Sequence, residues 1–427
     1  MRSAIFFALL VVLSGRSAAQ LVQARIVSSG YAWQQQDTAG QSVNHLYGYQ
    51  TIQLSAATED FSFHTYWQGY NDFAGPLSNT GQYRLFNLYL RANNILDILD
   101  LSVGRQNIFA GVGTGSIDGG LATVKLLDSR VRIIGYYGGL PPPTEKAELI
   151  DNAKSNYMVG SQVVGNPLDF AQVSLSYMRR SIQQDVYTAT RSDSLFNPYL
   201  VEIRPSAQEE EYWSGDVKVD YQEWISGSFR YDYDALFKNT SRVEFFGRIN
   251  PIESWGITAE YLKREPRISY NSIFSAFTYN TLSDYDLGLE YAVDKNWQAF
   301  ARYGYLAYDD VSARSVTVGA NGRNLGCSLS RNVGYSGEIS AASFNAGLPL
   351  FDNQITPTLL VSYAQYKLNE STTLDGALST ALGIVYRPLP VLSVDTQVQW
   401  IDNKVYQNDM RIFIRLSYLF IQRLDLL

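Results

Sequence analysis

Residues 284–305 read DYDLGLEYAVDKNWQAFARYGY, and polar and apolar positions alternate on both sides of a short break. Tyr285, Leu287, Leu289 and Tyr291 fall on one face of an extended chain, with Asp284, Asp286, Gly288 and Glu290 on the other. After AVDKN, Trp297, Ala299, Ala301, Tyr303 and Tyr305 alternate with Gln298, Phe300, Arg302 and Gly304. A period of two sustained this long predicts half-buried strands, and the short polar break joins them as an antiparallel hairpin. The same pattern recurs in WSGDVKVDYQEWISGSFRYDY (213–233) and RVEFFGRINPIESWGITAEY (242–261). In each copy one face is apolar and aromatic and the other carries charges of both signs.

Cross-strand chemistry suggests registers. A turn centred on Asp294 sets Tyr291 opposite Trp297, Tyr285 opposite Tyr303, Gly288 opposite Phe300 and Asp286 opposite Arg302. A turn centred on Glu223 sets Trp213 opposite Tyr233, Val217 opposite Phe229 and Asp216 opposite Arg230. A turn centred on Pro251 sets Gly247 opposite Trp255 and Arg242 opposite Glu260. Directly opposed unlike charges and aromatic pairs each contribute roughly 0.2–1 kcal/mol.

Extended over the chain, the pattern gives about twenty strands, within a range of 16 to 20, between residues 23 and 420; the N-terminal third alternates less cleanly. Connections alternate in size. ATED, LDSR, QEW, AVDKN and RPLP are short, whereas those around 73–80, 109–117, 139–155, 183–209, 266–282 and 308–334 are long. The four of 17–27 residues are expected to cap a pore or fold into it. Soluble strands average about 5–6 residues and membrane strands about 9–11. Trp213 to Tyr221 and Trp297 to Tyr305 each cover roughly 20 Å of height at ~3.3 Å per residue and ~40° tilt, close to the apolar band between two aromatic girdles.

The first residues, MRSAIFFALLVVLSGRSAAQ, combine a basic Arg2, an apolar run from Ala4 to Leu13 and the small residues Ser17-Ala18-Ala19. This is the pattern of a cleaved secretory signal peptide over 1–19, leaving 20–427 as one domain. Its removal takes away Arg2 and Arg16 and no acid, moving the net charge from −7 to −9, which speaks against a nucleic-acid partner. The single Cys327 forms no internal disulfide. The chain lacks a later run of 18 apolar residues, so spanning by a helix is not expected. With 31 Tyr and 20 Phe on long alternating segments, an exported barrel whose apolar face meets lipid accounts for the pattern better than a soluble sandwich or solenoid.

Two stretches resemble known proteins. MRIFIRLSYLF (410–420) resembles the closing strand of Gram-negative outer-membrane proteins in ending aromatic-x-aromatic, Tyr418-Leu419-Phe420, although IQRLDLL continues past it. LSVGRQNIFAGVGTGSIDGGLATVKLL (101–127) is similar to a segment of porin-type barrels, including alginate-export-like channels: a strand ending GRQ, a glycine-rich loop, then IDG opening the next strand. What this resemblance implies is a pore-forming barrel rather than a particular solute.

Catalytic chemistry is sparse. His45 and His64 are the only histidines, GYSG at 334–337 is no nucleophile elbow, GVGTGSIDGG fits neither dinucleotide nor phosphate-loop spacing, and CxxCH is absent. No enzyme activity, metal site or cofactor is therefore expected. What the pattern offers instead is a charged inner wall. Asp216, Asp220, Asp232, Asp234, Glu260, Asp284, Asp286, Glu290 and Asp395 are expected to line the lumen together with Arg180, Lys218, Arg230, Arg264, Arg302, Arg411 and Arg415. Such charges are expensive to bury in a dry core but stay hydrated in a water-filled lumen.

The expectation is thus an all-β chain, a single transmembrane antiparallel up-and-down β-barrel in a Gram-negative outer membrane, passing small polar or charged solutes with little ion selectivity. The competing expectation is a sleeve around a multihaem cytochrome partner; an enzyme or adhesin on a barrel scaffold is a third. Outer-membrane lipid and a second copy of the chain are the other partners the pattern admits.

Overall fold

In the computed structural model the described residues are 20–36, 42–73, 83–142, 146, 153–265, 281–335, 337–367, 373–405 and 408–424. The segment read as a signal peptide lies outside them.

The strands are β1 (Gln20–Gln36), β2 (Ser42–Ala57), β3 (Phe61–Asp72), β4 (Tyr83–Ile95), β5 (Leu99–Ala110), β6 (Gly113–Leu126), β7 (Val131–Gly139) and β8 (Tyr157–Leu168). They continue as β9 (Ala171–Ile182), β10 (Tyr187–Ser192), β11 (Pro198–Ile203), β12 (Gln208–Tyr221), β13 (Ile225–Asp234), β14 (Asn239–Ile252), β15 (Trp255–Arg264) and β16 (Leu282–Ala292). The last are β17 (Gln298–Tyr308), β18 (Val311–Asn321), β19 (Leu325–Gly334), β20 (Gly337–Gly347), β21 (Ile355–Lys367), β22 (Asp375–Leu389), β23 (Leu392–Asn403) and β24 (Asp409–Leu424).

All but β10 and β11 belong to one 22-stranded antiparallel sheet that closes on itself. Each strand pairs with the next, β9 passes directly to β12, and β24 returns to β1 from Leu424↔Gln20 to Arg411↔Trp33. Closure leaves no unpaired edge. The residues after Phe420 extend the closing strand, with Gln422 opposite Val22. At ~4.8 Å between strands and ~40° tilt, twenty-two strands close a ring roughly 40–45 Å across between backbones.

The ring has one hairpin more than the pattern of twenty strands. Residues 308–334, read as a long connection, form β18 and β19, paired from Ala313↔Gly334 to Asn321↔Gly326. Their outward faces interrupt Val316, Val318 and Leu329 with Arg314 and Arg331, and no aromatic marks either strand, so the two-residue period is weak. The long connection 183–209 also carries structure, the β10–β11 hairpin. At its tip, hydrogen bonds from the backbone and side chain of Asn197, joined by the Leu195 N–H, hold the Asp193 carboxyl below its usual range.

The β12–β13 register is as the sequence suggests: Trp213↔Tyr233, Val217↔Phe229 and Asp216↔Arg230. The β16–β17 register differs by two residues. Asp294 Oδ1 accepts the N–H groups of Asn296 (2.6 Å) and Trp297 (2.9 Å), so Trp297 closes the turn and the first pair is Ala292↔Gln298. Asp286 therefore lies opposite Gly304 rather than Arg302, Gly288 opposite Arg302 rather than Phe300, and Tyr285 opposite Tyr305 rather than Tyr303. A shift of two keeps every side chain on its face. In β14–β15 an irregularity between Ile249 and Ile252 moves the register further. Gly247 then meets Ala259, not Trp255, and Arg242 meets Arg264, not Glu260.

The outward face is the greasy one. Leu287, Leu289, Val398, Ile412 and Ile414 all stand exposed on it. Aromatic pairs cluster toward its two ends: Tyr177–Trp213 (4.8 Å between centroids) and Tyr261–Tyr285 (4.9 Å) at one, Phe170–Tyr221 (5.2 Å) and Trp255–Tyr291 (4.7 Å) at the other. No helix among the described residues is long and apolar enough to cross a membrane, which says nothing of spanning by strands.

Candidate constriction and lumen wall

The β5–β6 hairpin does not stay in the wall. β4 and β5 last pair at Leu88↔Arg105, and β6 and β7 pair only from Asp118↔Gly139 onward, yet β5 and β6 remain paired out to Ala110↔Gly113. The bend sits at Gly104, whose φ of +129° disfavours an L side chain and where a Cβ would lie 2.2 Å from the Leu88 carbonyl oxygen. Immediately beyond it, Arg105 is buried and grips Asp118 bidentately, Nε–Oδ1 2.6 Å and Nη2–Oδ2 2.7 Å. Its Nη1 also donates to the carbonyls of Leu85 (3.2 Å) and Lys146 (2.8 Å). A guanidinium has donors enough for all of these, so this buried charge is fully engaged.

Past that clamp the hairpin packs its apolar side on the wall. Ile108, Ala110, Val112 and Ile117 cluster with Tyr136, Met158, Met178 and Tyr212, which come from β7, β8, β9 and β12. This is the only buried hydrophobic cluster among the described residues. At the tip, the Val112 N–H donates to Ser176 Oγ at 2.9 Å. Gly111 turns there with φ +61°, and a Cβ on it would sit 2.1 Å from the same oxygen. The opposite edge of the hairpin stays open: Phe109 is 81% exposed.

Between the tip and the next strands of the wall, β13–β15, lies a cavity of about 670 Å³. Val112 and Thr114 line one side; Arg230, Asp232, Arg242, Arg264 and Glu265 line the other. Only a hairpin crossing the inside of the ring can share a cavity with residues of β13, β14 and β15, so the face carrying those charges is the inner one. Arg230 Nε donates to Asp232 Oδ1 (2.8 Å) and lies 3.7 Å from Asp216 Oδ1. Arg242 pairs with Glu244, and across the ladder meets Arg264.

From that face the register locates the charges named above. Asp216, Lys218, Asp220, Arg230, Asp232 and Asp234 share it on β12 and β13. Glu260, Arg264, Asp284, Asp286 and Glu290 share it on β15 and β16, and Arg302 on β17. Asp395, Arg411 and Arg415 share it on β23 and β24. Arg180 pairs with Glu210 at 2.6 Å, Arg248 with Glu290 at 2.8 Å, Arg411 with Asp409 at 2.8 Å and Arg415 with Asp395 at 2.5 Å. Among the expected wall charges Glu244 and Arg248 are missing, and Arg242 figures only as a cross-strand partner of Glu260. Arg105 and Asp118, which stand in the GRQ and IDG stretches of the porin-like segment, are missing too.

No family model matches the chain, and no curated protein matches its sequence. Solved structures do match. The ferric enterobactin receptor PfeA of Pseudomonas aeruginosa aligns over 93% of this chain and 80% of its own, with 10% identity and a TM-score of 0.59. The siderophore receptor PirA of the same organism aligns over 95% and 81%, with 12% identity and a TM-score of 0.56. The translocation pore of the P pilus usher PapC aligns over 93% and 99%, with 7% identity and a TM-score of 0.51. At these identities the likeness is one of fold: the chain has the architecture of large outer-membrane barrels.

Proposed function

We propose that this chain is an outer-membrane channel through which small polar or charged solutes diffuse passively. The observation that carries the reading is the hairpin: it narrows the ring from within, yet leaves a charged cavity between its tip and β13–β15. The inward charges then face water, where they cost little, and the outward Tyr, Trp, Leu and Ile face acyl chains. Short turns such as 222–224 and 253–254 belong to the periplasmic end and the long connections to the outside, with both chain ends periplasmic. No catalytic step is part of this reading, and a second copy of the chain is an admissible partner through the lipid-facing wall.

A sleeve around a multihaem cytochrome fits less well, because the hairpin occupies space that such a partner would need. The test is direct. Purified protein in planar bilayers should give discrete single-channel currents, and liposomes carrying it should swell in isosmotic sugars, amino acids or dicarboxylates. Absence of both, with heat-modifiable barrel shown to be inserted, would reject the channel.

A further inference from the structure

The lumen has two unlike walls. Around β12–β16 it is ionic; on β1–β4 it is aromatic. Tyr31, Trp33, His45, Tyr47, Tyr49 and Tyr70 all fall on the inner face, in register with Arg411 on β24 and Asp72 on β3. Their rings neighbour one another continuously: Tyr31–Trp33 4.9 Å, Trp33–His45 4.9 Å, Trp33–Tyr47 5.1 Å, Tyr47–Tyr49 6.0 Å and Tyr49–Tyr70 6.2 Å. The row continues downward. Tyr66 stacks on Phe86 at 4.6 Å and His64 on Tyr89 at 4.8 Å, and Tyr89 lies opposite Gly104, where the hairpin leaves the wall. From His45 to Ser55 the run covers ten residues of β2, roughly 33 Å along the strand at ~3.3 Å per residue.

These rings serve no core, since the buried apolar cluster lies elsewhere, around the hairpin. Nor can they meet lipid, since Ile52, Leu54 and Trp67 hold the outward positions of the same strands. Tyr31, Trp33, Tyr47 and Tyr49 are only half-buried. Interleaved with them on the inner face are neutral hydrogen-bonding groups: Thr51, Gln53, Ser55, Gln68 and Asn87. Gln68 Nε2 donates to Thr51 Oγ1 at 3.3 Å, and a cavity of about 310 Å³ is lined by Gln23, Arg25, Gln53, His64, Tyr66 and Tyr89. The fixed charges beside the row are engaged by its rings or stand at its border: Arg84 lies above Tyr70 at 5.6 Å, Asp72 bonds to Tyr47, Arg411 bonds to Tyr31, and Arg25 lines the cavity.

Flat apolar surface alternating with amides and hydroxyls matches a ligand that has apolar C–H faces and a rim of hydroxyls. Resting on the channel reading, we infer that β1–β4 form a track for neutral saccharides, running from the outer mouth to the root of the hairpin. Sugar rings would lie against Trp33, Tyr47 and Tyr49 and exchange hydrogen bonds with Gln53, Gln68 and Thr51. Aromatic carboxylates are the rival ligand. They would use the rings but leave the amides and hydroxyls idle, and would depend on Arg84 and Arg25.

The experiment is sugar-induced current block in planar bilayers with the full-length barrel. Maltohexaose is added on the side of the long loops, and sodium benzoate is run in parallel. Maltohexaose should interrupt the wild-type current in a saturable way. Trp33→Ala and Tyr47→Ala should each weaken the block about three- to tenfold, the range expected for one lost aromatic contact. Tyr47→Phe keeps the ring and should retain most of the block, and Leu287→Ala on the outer face should leave it unchanged. Block by benzoate but not maltohexaose, lost in Arg84→Gln, would overturn the saccharide assignment. So would sugar block indifferent to both alanine substitutions. If the barrel carries no current, the channel reading fails by itself. Calorimetric titration of maltohexaose into detergent-solubilised barrel then decides the track: binding abolished by Trp33→Ala sustains it, and no binding to the wild type ends it. Heat-modifiable migration of each variant checks that the barrel has closed.

Discussion

Ile108→Ala tests whether the hairpin is the constriction. Ile108 and Ile117 are both 0% exposed, and their partners Tyr136, Met158, Met178 and Tyr212 belong to the wall. Truncating a fully buried isoleucine to alanine costs about 2–5 kcal/mol, the spread reflecting how far the site collapses. Here the loss falls on the contact between hairpin and wall, because the ladder that closes the barrel does not involve these side chains. At ~1.4 kcal/mol per factor of ten, the ratio of docked to released hairpin should fall by about 30-fold to a few thousandfold. Ile108→Ala combined with Ile117→Ala should go further, though not additively, since both sit in one cluster. Single-channel recording is the assay. The wild type should hold one steady level; the variants should flicker to a second, higher level whose occupancy rises from single to double substitution. Heat-modifiability should be unchanged. Folded variants whose current and noise match the wild type would refute the reasoning, because a narrowing held by this cluster cannot survive its loss unnoticed.

Other consequences are as accessible. Gly111→Ala places a Cβ 2.1 Å from Ser176 Oγ at φ +61°, and should produce the same flicker, partly relieved by adding Ser176→Gly. Arg264→Gln removes one of three guanidinium groups facing the 670 Å³ cavity, and should move the reversal potential in a salt gradient toward cation preference, with Arg242→Gln adding to it. Leu287→Arg puts a charge on an outward position that is 59% exposed to the surroundings of the barrel; in lipid vesicles it should lower unfolding stability by about 2–4 kcal/mol if it lies near the midplane. Asp286→Ala and Arg302→Ala, one register line away but facing inward, should alter conductance slightly and leave heat-modifiability intact.

What could be read in advance depended on how cleanly each strand divides its faces. Strands β12, β13, β16, β17, β23 and β24 put apolar residues on one side and charges on the other, so their existence and the direction of their charges were legible. β1–β4 carry apolar residues on both sides, Tyr47 and Tyr49 inward against Ile52 and Trp67 outward, so charge does not mark an inner face and the aromatic wall does not stand out in the pattern. β18 and β19 carry arginine outward and small residues inward, a pattern that reads as a connection. The β16–β17 register differs because a side chain, Asp294, sets the turn, and the β14–β15 register because the ladder is irregular between Ile249 and Ile252.

A closed antiparallel sheet with an ionic and a greasy face follows from the residue pattern alone, because a two-residue period is a local property of extended backbone and survives any shift of register by two. The ring's size, the residues that meet between strands, and the clamp by which Arg105 and Asp118 hold a hairpin in the lumen come from the folded chain. Those depend on contacts between positions far apart in the chain, such as Val112 with Ser176, and no periodicity records them.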